Sequence, residues 1–95
     1  MKVRVARDAK ADLDEIYIAQ RQSVDAAQRV VDRLTDKFCL LAKLPEIGRL
    51  RPEFQPALRS LPVGEYRIYY RWGPKGMVRV PHVRHGARDE GRLFQ

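Results

Sequence analysis

Apolar and polar positions alternate in "VRVA" at 3–6, which predicts a short strand. The period then lengthens. Leu13, Ile16, Tyr17 and Gln20 follow i, i+3, i+4, i+7, and three of the four are apolar, which predicts a helix over about 9–22. Asp8 is placed to cap it, with Asp12, Asp14 and Glu15 near its positive end. Ser23 is read as the cap of a second helix, with Ala27, Val30, Val31, Leu34, Phe38, Leu41 and Leu44 on its apolar face and Pro45 as its stop. The linker "QRQS" is so short that the two helices are expected to form a hairpin.

Beyond Pro45 the period shortens to two. "PEIGRLRPEFQP" at 45–56 reads as a loop, "ALRSLPV" as a strand and Gly64 as a tight turn. In "EYRIYYRW", Tyr66, Ile68, Tyr70 and Trp72 share one parity, suited to a core, while Arg67, Tyr69 and Arg71 share the other, suited to an open face. "GPKG" signals a hairpin turn, and "MVRVPHVRH" is the returning strand. Val78 and Val80 have one parity there and Val83 the other, so a β-bulge or an edge is expected at Pro81, which has no N–H to donate. "GARDEGRLFQ" reads as a loop or a short terminal helix.

The expected architecture is α+β and a single domain over 1–95: an N-terminal strand, a two-helix hairpin, then a three-stranded antiparallel sheet, in the order β-α-α-β-β-β. Helices on one face leave the other open, and the arginines of the strands fall on that open face.

Charge sharpens this picture. Residues 1–48 hold nine Lys/Arg against eight Asp/Glu, whereas residues 49–95 hold ten against four, and nine of those ten are arginine. Arginine suits forked contacts with phosphate or carboxylate, so the second half is expected to face an anionic partner, either nucleic acid or an acidic protein surface. Lone Cys39, expected to be buried on its helix, allows no internal disulfide. The start is charged from residue 2 and no apolar run is long enough for a bilayer, so neither a signal peptide nor membrane association is expected and the cytoplasm is the expected compartment.

Candidate chemistry is sparse. His82 and His85 are the two histidines, too few with Cys39 for a metal site, and no cofactor motif is present. Ser23 and Ser60 have no nearby base in sequence. A metal-free ribonuclease is the catalytic option, with His85 as acid or base, Arg59, Arg67, Arg84 or Arg88 steadying the phosphate and Tyr69 stacking a base. Against it stand an ordinary strand-end histidine and a local ion pair between Arg88 and Asp89. The alternative is a protein interface built from Arg and Tyr, both enriched at such surfaces.

The stretches "VRVARDAKADLDEIYIA", "LPEIGRLRPE", "LRSLPVGEYRIYYR" and "VRHGARD", in this order over about nine-tenths of the chain, resemble the RelE/ParE toxin superfamily, and the ParE branch most closely. The resemblance implies the toxin of a type II toxin–antitoxin pair, acting in growth arrest and plasmid stabilisation. It also implies a cognate antitoxin that binds operator DNA on the toxin's behalf. A ParE-like toxin inhibits DNA gyrase and is not itself an enzyme; here Arg59, Arg67, Tyr69, Arg71, Arg84 and Arg88 would meet the target. A RelE-like toxin cleaves mRNA on the ribosome, which would here use His85 with Arg59, Arg67 and Arg88. The C-terminal tyrosine usual in that branch is replaced by Phe94, which cannot exchange a proton, although the resemblance also covers nucleases that use histidine with phenylalanine, here His85 with Phe94. A third option is a decayed toxin that retains antitoxin binding alone. The antitoxin is expected on the helical hairpin, at Leu13, Ile16, Tyr17, Val31, Leu34 and Phe38, or on the basic sheet.

Overall fold

The structure is a computed structural model that describes residues 2–19, 24–73 and 77–85. Strand β1 (Lys2–Val5) leads directly into helix α1 (Arg7–Ala19), and helix α2 (Val24–Lys43) follows. A 3-10 turn over Pro45–Ile47 precedes β2 (Arg49–Leu50), β3 (Leu58–Val63), β4 (Tyr66–Trp72) and β5 (Met77–His85). Helix α1 starts earlier than its apolar stripe suggests: the Lys10 N–H reaches the Ala6 carbonyl at 3.0 Å, so Asp8 lies in the first turn rather than at the cap. Ser23 and Gln20 lie outside the described residues, as do residues 74–76 of the "GPKG" turn.

The five strands form one sheet in the order β1-β5-β4-β3-β2. This corrects the three-stranded expectation in two ways. Part of the stretch read as a loop supplies β2, which pairs antiparallel through Arg49–Ser60 and Leu50–Arg59. The N-terminal strand pairs in parallel with β5, from Lys2–Met77 to Val5–Val80, so the sheet is mixed. The two helices carry the chain from β1 at one edge of the sheet to β2 at the other, and the antiparallel run from β2 to β5 brings it back beside β1.

The helix side of the sheet is the core. Val78, Val80, Val83, Ile68, Tyr70 and Val63 pack there with Ala9 and Ile16 of α1 and Leu34, Phe38 and Leu41 of α2, and Val3, Val5 and Leu61 lie partly buried against them. Exposed Leu44 departs from the predicted apolar face of α2, and Cys39, expected to be buried, is exposed. Trp72 keeps the core parity but is 42 % exposed at the last position of β4. Gly64 adopts φ +59° in the β3–β4 turn, a conformation other residues resist.

The expected irregularity at Pro81 is present. Tyr69 pairs with His82 and Arg71 with Arg79, so Val80 and Pro81 together oppose Tyr70. That extra residue resets the alternation and lets Val78, Val80 and Val83 all point into the core. Beyond Val80 the β1 neighbour has ended, and the buried carboxylate of Asp12 on α1 accepts the Val83 N–H at 3.0 Å in place of a strand. Pro81, which has no N–H to give, sits within the bulge, where the ladder to β4 is already interrupted.

Candidate functional site

The face turned away from the helices carries the alternate residues of each strand, and directly paired residues share a face. Arg71 pairs with Arg79, Tyr69 with His82 and Arg67 with Arg84 across β4 and β5. Ser60 pairs with Tyr69 and Leu58 with Arg71 across β3 and β4. Arg67, Tyr69, Arg71 and Arg84 of the proposed target-binding set therefore do lie on one face.

The centre of that face is closed. Tyr69 is 0 % exposed, and Ser60 and Leu58 beside it are buried. The parity read for Tyr69 holds, but its ring is not available to stack on a base. Part of the cover comes from the loop after β2. There Arg51 donates to Ser60 Oγ at 3.2 Å, lies over the Phe54 ring at 4.8 Å and pairs with Glu53 at 3.1 Å. The Glu53 carboxyl is held below its ordinary range by its own backbone N–H and by Arg51.

Arg59 is turned the other way. It pairs with Tyr70, on the helix side, and donates to the carbonyls of Gly48 (2.8 Å) and Glu46 (3.1 Å). Tyr70 completes this knot: its hydroxyl donates to the Pro45 carbonyl and accepts the Gly48 N–H, both at 2.7 Å. A Cβ on Gly48 would collide with the Tyr70 hydroxyl, so only glycine fits. Burial raises the Tyr70 hydroxyl above its ordinary pKa. Arg59 thus braces the turn after α2, as its shared parity with Leu61 and Val63 could have signalled.

His85 is also on the helix side. It pairs with Tyr66, meets that ring edge to face at 5.2 Å, and lies 3.4 Å from Glu65. It stands four residues along β4 from the position opposite Arg59, an offset of about 13 Å along the strands, with β4 lying between the two residues. The residues nominated for a nuclease are therefore split: His85 and Arg59 on one face and far apart, Arg67 on the other. Arg88, Asp89, Phe94 and the predicted terminal helix lie outside the described residues. His82 and Arg84 converge on Asp12, each at 3.6 Å, so part of the positive charge at this end of the face is balanced internally.

Of the helical residues expected to meet a partner, Ile16, Leu34 and Phe38 are core residues, while Leu13 and Val31 are half-buried and Tyr17 is exposed. The apolar side chains exposed around the hairpin are Tyr17, Ile18 and Val24. Among the described residues no cluster of His, Cys, Asp and Glu could hold a metal ion, and no helix is long and apolar enough to cross a membrane.

Sequence reasoning passed over Arg4 and Arg79. Both alternate with buried or half-buried valines, and both are exposed. Arg79 pairs with Arg4 on one side and Arg71 on the other, which aligns three arginines across β1, β5 and β4.

This architecture has known counterparts. The family described as the ParE toxin of the type II toxin–antitoxin system, parDE, matches residues 3–90. Two curated relatives come from Caulobacter vibrioides. Toxin ParE1 is 32 % identical over 90 % of this chain and 92 % of its own length, and Toxin ParE3 is 27 % identical over 76 % and 74 %. Among solved structures, the chromosomal ParDE toxin–antitoxin system from P. aeruginosa superposes with a TM-score of 0.78 at 22 % identity, covering 90 % of this chain and 96 % of that one. The RelBE2 toxin–antitoxin complex of Mycobacterium tuberculosis gives 0.70 at 24 %, covering 88 % and 95 %. A mixed sheet backed by a helical hairpin is thus a fold this chain shares with proteins of type II toxin–antitoxin systems. Within that class, the chain belongs to the ParE toxin family.

Proposed function

We propose that this toxin inhibits DNA gyrase through the arginine-bearing face of its sheet and is neutralised by a cognate antitoxin. The observation that carries this reading is the register that puts Arg67, Arg71 and Arg84 on one face while His85, the histidine nominated as acid or base, lies on the other. Such a surface can hold a negatively charged macromolecule, and the histidine on it, His82, is turned onto Asp12. The ribosome-dependent nuclease is less well supported, since His85 and Arg59 point away from Arg67. Membership of the ParE family and the likeness to toxin–antitoxin complexes support an antitoxin partner, and the exposed Tyr17, Ile18 and Val24 are apolar surface that such a partner would cover.

Purified toxin is expected to stop gyrase supercoiling while mRNA on translating ribosomes stays whole. Loss of growth arrest on His85→Ala, with gyrase fully active in the presence of the unaltered toxin, would overturn the reading.

A further inference from the structure

The arginine row on β1, β5 and β4 lies outside the proposed target-binding set, Arg71 excepted, and its electrostatics are unusual. Arg4, Arg79 and Arg71 stand directly opposite one another on three adjacent strands, so neighbours are separated by about 4.8 Å of strand spacing. Like charges in directly opposed positions destabilise a sheet. All three side chains are exposed, and among the described residues none has a carboxylate or carbonyl partner. Three other strand and loop arginines differ: Arg51 is paired with Glu53, Arg59 with backbone carbonyls and Arg84 with Asp12. An open groove of about 800 Å³ continues the row around the margin of β1, where Arg7 and Lys10 of α1 join Arg4 and Arg79.

We infer that this row is a docking strip for the sugar–phosphate backbone of a nucleic-acid duplex. A polyanion removes the self-repulsion that the row carries when bare. A duplex offers one negative charge per about 1.7 Å of axis, dense enough to occupy three arginines spread over about 10 Å. Arginine forks bind phosphate oxygens without reading sequence. Single-stranded recognition would call for exposed aromatic platforms. Among the described residues the strand aromatic on this face, Tyr69, is fully buried, the loop aromatic Phe54 is capped by Arg51, and Trp72 has the opposite parity. Half-buried Val3 and Val5 and exposed Met77 also line the groove at the margin, so an acidic protein segment with apolar anchors is the competing occupant that the test must exclude.

The inference does not depend on which machine the toxin poisons, and its test leaves gyrase out. Affinity of the purified protein for labelled DNA and RNA duplexes, and for the corresponding single strands, is measured over a salt series. The variant carrying Arg4→Gln, Arg71→Gln and Arg79→Gln should show a shallower dependence of log K on log salt. The expected change is about 0.9 for each phosphate no longer neutralised, so about 2.7 for three arginines. The same positions changed to lysine should keep the original slope. The glutamine variant should also melt at or above the temperature of the parent, because repulsion has been relieved. An unchanged slope, a preference for single strands, or displacement of the duplex by polyglutamate at lower charge concentration would overturn the inference. Loss of cooperative melting in the glutamine variant would do so as well, since it contradicts the self-repulsion.

Discussion

At the scale of single residues, Tyr70 fastens the end of α2 to the sheet. Its hydroxyl serves one buried donor and one acceptor in a turn that has few other ties to β4. Tyr70→Phe keeps the ring and its packing but leaves the Gly48 N–H and the Pro45 carbonyl without that partner. A cost of about 2–3 kcal/mol is expected, from about 1–3 kcal/mol for each unsatisfied buried group less what water recovers. For a domain of this size each kcal/mol moves the melting temperature by roughly 4–8 °C. The cost should also depend on pH. Burial raises the hydroxyl pKa, so the folded state favours the neutral form. That contribution is fully present below about pH 10, where the unfolded tyrosine is neutral too, and is lost as pH rises through the raised value. Melting curves of the parent and the variant should therefore converge above about pH 10. A gap that stays constant into alkaline solution would show that the hydroxyl is not held as described.

At the scale of elements, β5 shows what alternation reveals and what it conceals. The parity conflict among Val78, Val80 and Val83 announces one surplus residue, and the bulge opposite Tyr70 absorbs it. If Pro81 is that surplus, its deletion leaves "VRVHVRH", a regular strand with the same three valines inward. Deletion of Pro81 should keep the fold and cooperative melting, within about 1–2 kcal/mol of the parent. Deletion of Arg79 instead turns Val78 outward and should cost at least the burial of a valine, about 1.5–3 kcal/mol. Equal damage from both deletions, measured by thermal melts, would show that the bulge itself is indispensable. The same alternation assigns faces correctly for Arg67, Arg71 and Arg84, yet it places no cover over Tyr69, because burial there depends on a loop folding back. Arg59 was legible: it shares the parity of Leu61 and Val63, but its charge suggested the opposite face. The parallel pairing of β1 with β5 was not legible, since nothing local to "KVRV" records a partner more than seventy residues away. With that pairing unseen, the alignment of Arg4 with Arg79 and Arg71 was unseen as well.

At the scale of the whole molecule, the two sides of the sheet offer different chemistry to different partners. The hairpin side exposes Tyr17, Ile18 and Val24, while the free face exposes the arginine row. A partner that binds only the folded chain stabilises it by mass action, about 2.7 kcal/mol at a hundredfold excess over Kd. In a domain of this size that amounts to a melting-temperature rise on the order of 10–20 °C. The source of the binding energy decides how salt acts on that rise. Burial of apolar surface is little weakened by added salt, whereas binding through phosphates weakens steeply because each neutralised phosphate releases a condensed counterion. The rise produced by the cognate antitoxin should therefore survive a change from low to moderately high salt, and the rise produced by a nucleic-acid duplex should disappear over the same range. Thermal melts of the toxin with each partner at the two salt levels check this directly. If both rises collapse together, the antitoxin also sits on the arginines, and masking the cationic face becomes the simplest account of how it neutralises the toxin.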